Sequence, residues 1–315
     1  MTDLATPTYA TMRRAVSEAA PGVTKFNPLS RIIAHDDFNS GLHGWVQLSG
    51  NYDAAGNLDT MEPQMSDFRP PQISSCNFYD VGTHGAVSGT YAMKLATRPV
   101  KGHTATAIRR LTMPVRGKVQ LEAYFTYKSE ARALDPKNAP PKEWDGNYHP
   151  SEDLFGAFTL GSDMDDGTRY HVVARYMNTT MDNVPDRRWY APTVVEPTGK
   201  ERFDGKVNYS KLDDFTAPNP DDWKPFSEPQ DLCYNEVPTK INWHYLRWQF
   251  DTETRTNVEL QVNDITYDTT HVDVPLYTEK YRSLNGLLNF YFSVRTHADV
   301  RNFLYIDSAL ISIDW

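Results

Sequence analysis

His171 and Arg175 stand four residues apart in the run YHVVARYM. On a β-strand that spacing puts them on one face, roughly 13 Å apart. A histidine that titrates near the working pH can take a proton from a carbon beside a carbonyl, and an arginine can hold the enolate that results. At this separation the two would serve opposite ends of one small ligand. Glu122, in VQLEAYFTYK, is a strand carboxylate that could form half of an acid/base pair for glycoside cleavage, with Asp231 or Glu236 as its partner.

The same alternation collects Tyr124, Tyr245, Arg247, Tyr291 and Arg295 on the faces opposite the apolar residues, with His297 just beyond. Trp189 and Trp223 stand in a long aromatic segment between strands. Flat rings suit the C–H patches of a sugar, while forked donors and carboxylates suit its hydroxyls. A solvated sheet face is also polar. Here His, Arg and Tyr exceed the Lys, Glu and Thr that such a face ordinarily carries.

Other motifs resolve to simpler readings. Asp163-Met164-Asp165-Asp166-Gly167 fails the calcium-loop pattern, because its glycine falls one position early and Ala174 stands where the bidentate glutamate belongs. A hairpin turn is expected there instead, with Asp166-Gly167 as its two central residues. His35, His43, His84, His103, His149 and His271 show no zinc-ligand spacing. No nucleophile elbow, phosphate loop or dinucleotide fingerprint is present.

The elements that must position these residues are strands. Period-2 alternation runs through residues 119–128, 155–160, 170–177, 243–251, 258–262, 288–296 and 303–313, with a second turn at Asn263-Asp264. Short alternating strands with Gly, Asp and Asn turns specify an all-β sandwich. Residues 129–153 and 178–240 alternate little and are rich in Pro, Asp and aromatic residues, among them Trp144, Tyr148, Tyr190, Tyr209 and Tyr234. Disordered segments are aromatic-poor, so these are expected to be ordered loop insertions folded over one sheet. Residues 12–20 read as a short helix ended by Pro21-Gly22. The expected organisation is an N-terminal arm, 1–31, and one sandwich domain, 32–315.

The formal charge of −9 over 315 residues argues against binding nucleic acid or an anionic membrane. Cys76 and Cys233 sit in no metal-ligand spacing and suggest no disulfide framework. With no apolar run of signal-peptide or membrane-span length, a soluble, cytoplasmic protein is the expectation.

Three segments carry a resemblance. HDDFNSGLHGW, residues 35–45, resembles the first strand of carbohydrate-binding jelly rolls; GTYAMKL, 89–95, and LYIDSAL, 304–310, resemble a following strand and the closing strand. WHYLRWQFD, 243–251, is similar to a central strand of concanavalin A-like lectin and glucanase domains, and a bacterial family with this fold is implied. The resemblance implies a concanavalin A-like jelly-roll β-sandwich and a structural Ca²⁺ held by Asp37 and Asp307, with no organic cofactor. Fold alone does not give function. Together with the polar faces, it suggests a carbohydrate-active enzyme that eliminates or hydrolyses a small saccharide or oxidised glycoside, that is, a lyase or glycosidase. The alternatives are a non-catalytic lectin-like protein, or an assembly protein whose aromatic loops join homo-oligomer subunits.

Overall fold

The structure, a computed structural model, describes residues 21–47, 69–75, 85–130, 152–193, 223–234, 241–274, 276–277 and 285–314. The helix expected over 12–20 and the residues Trp144, Tyr148, Tyr209, Glu236 and Cys76 lie outside them.

Two antiparallel sheets face each other. Sheet A runs β13 (Ile265–Asp268), β12 (Thr256–Val262), β11 (His244–Asp251), β6 (Lys118–Ser129), β16 (Asn302–Ile313), β4 (Tyr91–Ala96), β3 (Gln72–Ser75), with β1 (Arg31–Asp36) also paired to β16. Sheet B runs β10 (Trp223–Pro225), β9 (Pro185–Pro192), β8 (Arg169–Thr179), β7 (Ala157–Asp166), β15 (Asn285–Arg295), β5 (Thr104–Thr112), β2 (Trp45–Gln47), with β14 (Leu276–Tyr277) against β8. This is the all-β sandwich that the alternation specifies and the jelly roll that the resemblance implies.

One face of each strand supplies the core. Val119, Leu121, Ala123, Phe125 and Tyr127 of β6 meet Phe158, Leu160, Val172, Ala174 and Tyr176 of β7 and β8. The Phe125 and Phe158 rings lie 4.9 Å apart, and Trp248 meets Phe290 edge-on at 6.5 Å. Each such side chain contributes about 1.5–3 kcal/mol on burial. In β16 the register slips between Asp307 and Leu310, where Ser308 has φ +54°. That one-residue bulge keeps Leu304 and Ile306 before it, and Ile311 and Ile313 after it, on the core side.

Two expectations are corrected. The segment 178–240 is not all loop: β9 and β10 lie within it and extend sheet B, because Trp189 and Ala191 alternate into buried positions. The β7–β8 turn holds three residues rather than two, since Asp165 pairs with Arg169 and Gly167 sits between them at φ +107°. The turn at Asn263-Asp264 does hold two, with Val262 paired to Ile265.

The described part of the arm lies along the outer face of sheet A. Phe26 packs beside Tyr124, Leu310 and Tyr245. The Asn27 amide donates to Glu122 Oε1 (2.8 Å), Leu29 N to Ser312 Oγ (3.0 Å), and Ser30 N to Asp314 Oδ1 (2.8 Å). Glu122 is fully buried beneath it and also accepts from the Tyr245 hydroxyl (2.5 Å) and Gln120 Nε2 (2.7 Å). Removing that carboxylate orphans three donors at once. Glu122→Ala should therefore cost about 3 kcal/mol in urea denaturation and speed proteolytic cleavage near residues 23–30. An unchanged digestion pattern would show that the arm is held by other means.

Candidate functional site

The outer face of sheet B carries three rows of facing side chains set by strand register. The first is His171 (β8), Asp163 (β7), Asn289 (β15) and Arg110 (β5). The second is Val173, Gly161, Tyr291 and Ile108, and the third is Arg175, Thr159, Ser293 and Thr106. Arg295 stands one position further, opposite Ala157 and Thr104.

The first row is a charged knot. His171 Nε2 donates to Asp163 Oδ1 at 2.7 Å, and Arg169 grips both Asp163 oxygens at 2.8 Å through Nε and Nη2. His171 is only 2% exposed and Asp163 is also buried. Burial alone would raise the Asp163 carboxyl; the His171 charge and hydrogen bond, with Arg169, reverse this and hold it well below the usual carboxylate range. Beside it Asn289, 5% exposed, has a buried Oδ1 with no hydrogen-bond partner among the described residues. A buried acceptor in that state calls for a donor.

The second row is apolar and buried, with Val173, Tyr291 and Ile108 each less than 5% exposed. Gly161 lies directly under the Tyr291 ring, in space that a Cβ would take from it. Ile108, Val173, Trp223 and Tyr190 surround this ring. In the third row the Arg175 guanidinium sits 3.7 Å over the Trp223 ring, with Nε donating to Thr159 Oγ1 at 3.0 Å.

His171, Arg175, Tyr291 and Arg295 therefore share one face, as sequence patterning suggested; Trp223 of β10, read from sequence as a loop residue, packs on it, and His297 stands at its end. The others do not join them. Glu122, Tyr124, Tyr245 and Arg247 belong to β6 and β11, so they lie on the outer face of sheet A; the first three meet the arm, and Arg247 pairs with Glu259 at 2.6 Å. Asp231 binds Arg187 at 2.6 Å, so no glycosidase carboxylate pair forms between it and Glu122. Trp189 is a core residue, its Nε1 donating to Gln230 Oε1 at 3.2 Å. His297 is buried, its Nδ1 donating to the Thr179 carbonyl at 2.8 Å, and it braces the end of β8.

Asp37 and Asp307 do not fit a calcium ion. Asp307 Oδ2 accepts from the Val87 and Ser88 amides at 2.8 and 3.0 Å, and the Lys25 ammonium stands 3.8 Å away. Lys25 in turn donates to the Ser88 and Ser308 hydroxyls. Asp37 caps the Asn39 amide at 3.0 Å. Among the described residues no three His, Cys, Asp or Glu side chains converge as metal ligands. The positive charge beside Asp307 belongs to the arm.

Asp163 and Asn289 escaped the sequence reading, the first because it was placed in a turn. The outward alternation of Thr159, Gly161 and Asp163 was the available signal.

Sandwich and strand order together define an all-β jelly roll with polar and aromatic side chains on the outer face of sheet B. Residues 13–315 match the family model described as a domain of unknown function, DUF6772, and the chain belongs to that family. No curated protein matches it. Among solved structures it is similar to the potassium-bound carbohydrate recognition domain of Emp46p (8% identity, 80% of this chain and 91% of that one, TM-score 0.30). It is also similar to a structure described under endo-acting O-glycanases of the human gut microbiota (12%, 90% and 99%, 0.36) and to the Bauhinia forficata lectin in complex with GalNAc (10%, 78% and 99%, 0.36). No site residue is carried over from them.

Burial, followed by the charge of Arg295, pushes His297 down to about 3. The unfolded chain binds this proton below about pH 6.5 and the folded chain does not, so stability is complete above that pH and falls as pH drops toward 3. His297→Asn should flatten the melting temperature against pH between about 6.5 and 4, a span worth a few kcal/mol to the parent. Parallel curves for variant and parent would show that the fold does not lower the His297 pKa.

Proposed function

We propose that this protein binds a glycan along the outer face of sheet B. The single observation that carries the reading is the buried Asn289 Oδ1, without a hydrogen-bond partner among the described residues, set beside the Asp163–His171 pair and followed on the same face by Tyr291 and by Arg175 over Trp223. A sugar ring offers C–H faces to stack on and hydroxyls to pair with, and these rows supply both partners within the span of two or three residues. Asn289 Oδ1 would accept from a ligand hydroxyl. Gly161 keeps the Tyr291 ring close to the sheet.

A second reading is favoured by the Asp163–His171 bond, which orients the imidazole as a carboxylate does in many general bases. In its neutral form, His171 would remove a proton beside the carbonyl of an oxidised glycoside. The enolate would then expel the substituent on the next carbon, which leaves with the proton that His171 had taken up.

Thermal-shift and calorimetric titration against an oligosaccharide panel test the first reading. Ligand at a hundred times its dissociation constant stabilises the fold by about 2.7 kcal/mol. Tyr291→Ala and Arg175→Ala should each weaken binding at least tenfold, about 1.4 kcal/mol, while Tyr291→Phe retains most of it. Binding that survives both alanine variants would place the ligand elsewhere, and no binding to any glycan would overturn the reading. For the second, a 3-keto glycoside in D₂O should exchange its acidic proton with the parent and not with His171→Ala. Binding without exchange would leave the lectin-like reading standing alone.

A further inference from the structure

The loop from β1 to β2, residues 37–44, passes from sheet A to sheet B and carries a chain of hydrogen bonds. Ser40 Oγ lies 3.0 Å from His43 Nε2, His43 Nδ1 lies 3.2 Å from Asp36 Oδ1, and Trp45 Nε1 donates to Asp36 Oδ2 at 2.8 Å. Asp36 is buried, whereas Ser40 and His43 face solvent. A carboxylate accepts, so the imidazole proton sits on Nδ1 and Nε2 is left to accept from the serine hydroxyl. This is the order of contacts that activates a serine for attack on an acyl carbon.

The loop is held in this form from several sides. Phe38 is fully buried, its ring 6.5 Å from that of Trp45. Asn39 Oδ1 accepts from the Thr90 and Tyr91 amides at 2.7 and 3.3 Å. His43 sits at φ +43°, a backbone angle that costs energy in any residue but glycine, and Gly44 follows at +89°. Such strain persists only where the surroundings enforce it, and here it accompanies an imidazole set between Ser40 and Asp36. A Cβ added at Gly41 would meet no atom within 4 Å, so the chain beside Ser40 is open. The Arg109 guanidinium rests against Gly44, where a Cβ would lie 2.5 Å from Nη1. Its buried Nε has no hydrogen-bond partner among the described residues.

We propose that Ser40, His43 and Asp36 form a second site, separate from the outer face of sheet B, that hydrolyses esters of short carboxylic acids. Ser40 Oγ bonds to the acyl carbon as its proton passes to His43 Nε2. Arg109 is the cation available to the oxyanion that develops. Collapse breaks the bond to the alcohol oxygen, which departs with the proton from His43 and leaves an acyl-serine. Water then adds to the acyl carbon, its proton passing to His43 and from there to Ser40 Oγ as the acid is released. Asp36 is a positioning residue that keeps the imidazole in the required tautomer. An alcohol leaves more readily than an amine, and a serine open to solvent suits a short acyl group that needs no pocket of its own.

Two assays on the full chain test this. A fluorophosphonate probe followed by peptide mapping should label Ser40. Acetate release from p-nitrophenyl acetate and glyceryl triacetate should fall about a hundredfold in Ser40→Ala and in His43→Ala, with the double variant no slower than either, because the pair acts as a unit. Asp36→Asn should lower kcat about tenfold with KM unchanged. Arg109→Gln should also lower kcat, Arg109→Lys should retain part of it, and Arg247→Gln, on the other sheet, should leave hydrolysis intact. Equal hydrolysis by the parent and Ser40→Ala would overturn the proposal, as would label on another residue. Melting curves separate lost chemistry from lost fold; Ser40 and His43 face solvent, so their variants decide the matter even where Asp36→Asn unfolds.

Discussion

The register of β7 against β8 decides what sheet B can present. Side chains alternate with a period of two, so a slip of one residue sends every residue of a strand to the other face. With a two-residue turn, Asp163 would face Tyr170, a core residue. The three-residue turn, with Gly167 at φ +107°, sets Asp163 opposite His171 instead. The charged knot, the space for Tyr291 over Gly161 and the Arg175–Thr159 bond all follow from that one pairing. Glycine matters here because few other residues adopt that backbone angle without strain.

The outer face of sheet A serves an internal seam. Sheet A is closed by the chain's own arm, whose backbone amides occupy Glu122, Ser312 and Asp314 and whose Lys25 ammonium lies beside Asp307. Burial pushes the Asp307 carboxyl up even against Lys25, so this is an expensive place to keep a charge without a partner. An arm that supplies its own cation and donors turns a polar sheet face into an internal interface. Polar and aromatic composition alone could not separate this face from that of sheet B, because tyrosines and carboxylates serve an internal seam as well as a ligand.

Fold was legible because alternation is a local signal: Leu246, Trp248 and Phe250 are buried and Tyr245, Arg247 and Gln249 are not, as the pattern implies. The site was legible in half. Residues of β8 and β15 could be given their faces from their own strands, yet which strands neighbour each other depends on pairings across more than a hundred residues. Glu122 and His171 look alike in sequence and lie on different sheets. Trp189 was misread because only the pairing of Tyr176 with Trp189 shows that this loop-like stretch is a strand with an inward tryptophan.

The Asp163–His171–Arg169 knot remains to be accounted for in energetic terms. Taking ions out of water costs several kcal/mol each, and their attraction repays this only where geometry is good and every oxygen is engaged. Asp163 meets that condition, with both oxygens bonded at 2.8 Å or less. Well-packed apolar residues would serve stability as well or better, as they do on the row beside it at Val173 and Ile108. A fold needing only a sealed sheet would have no use for a carboxylate, an imidazole and an unpaired amide oxygen side by side at near-complete burial. Of the three, Asn289 Oδ1 alone lacks a hydrogen bond among the described residues, and under the glycan proposal a ligand hydroxyl would supply it.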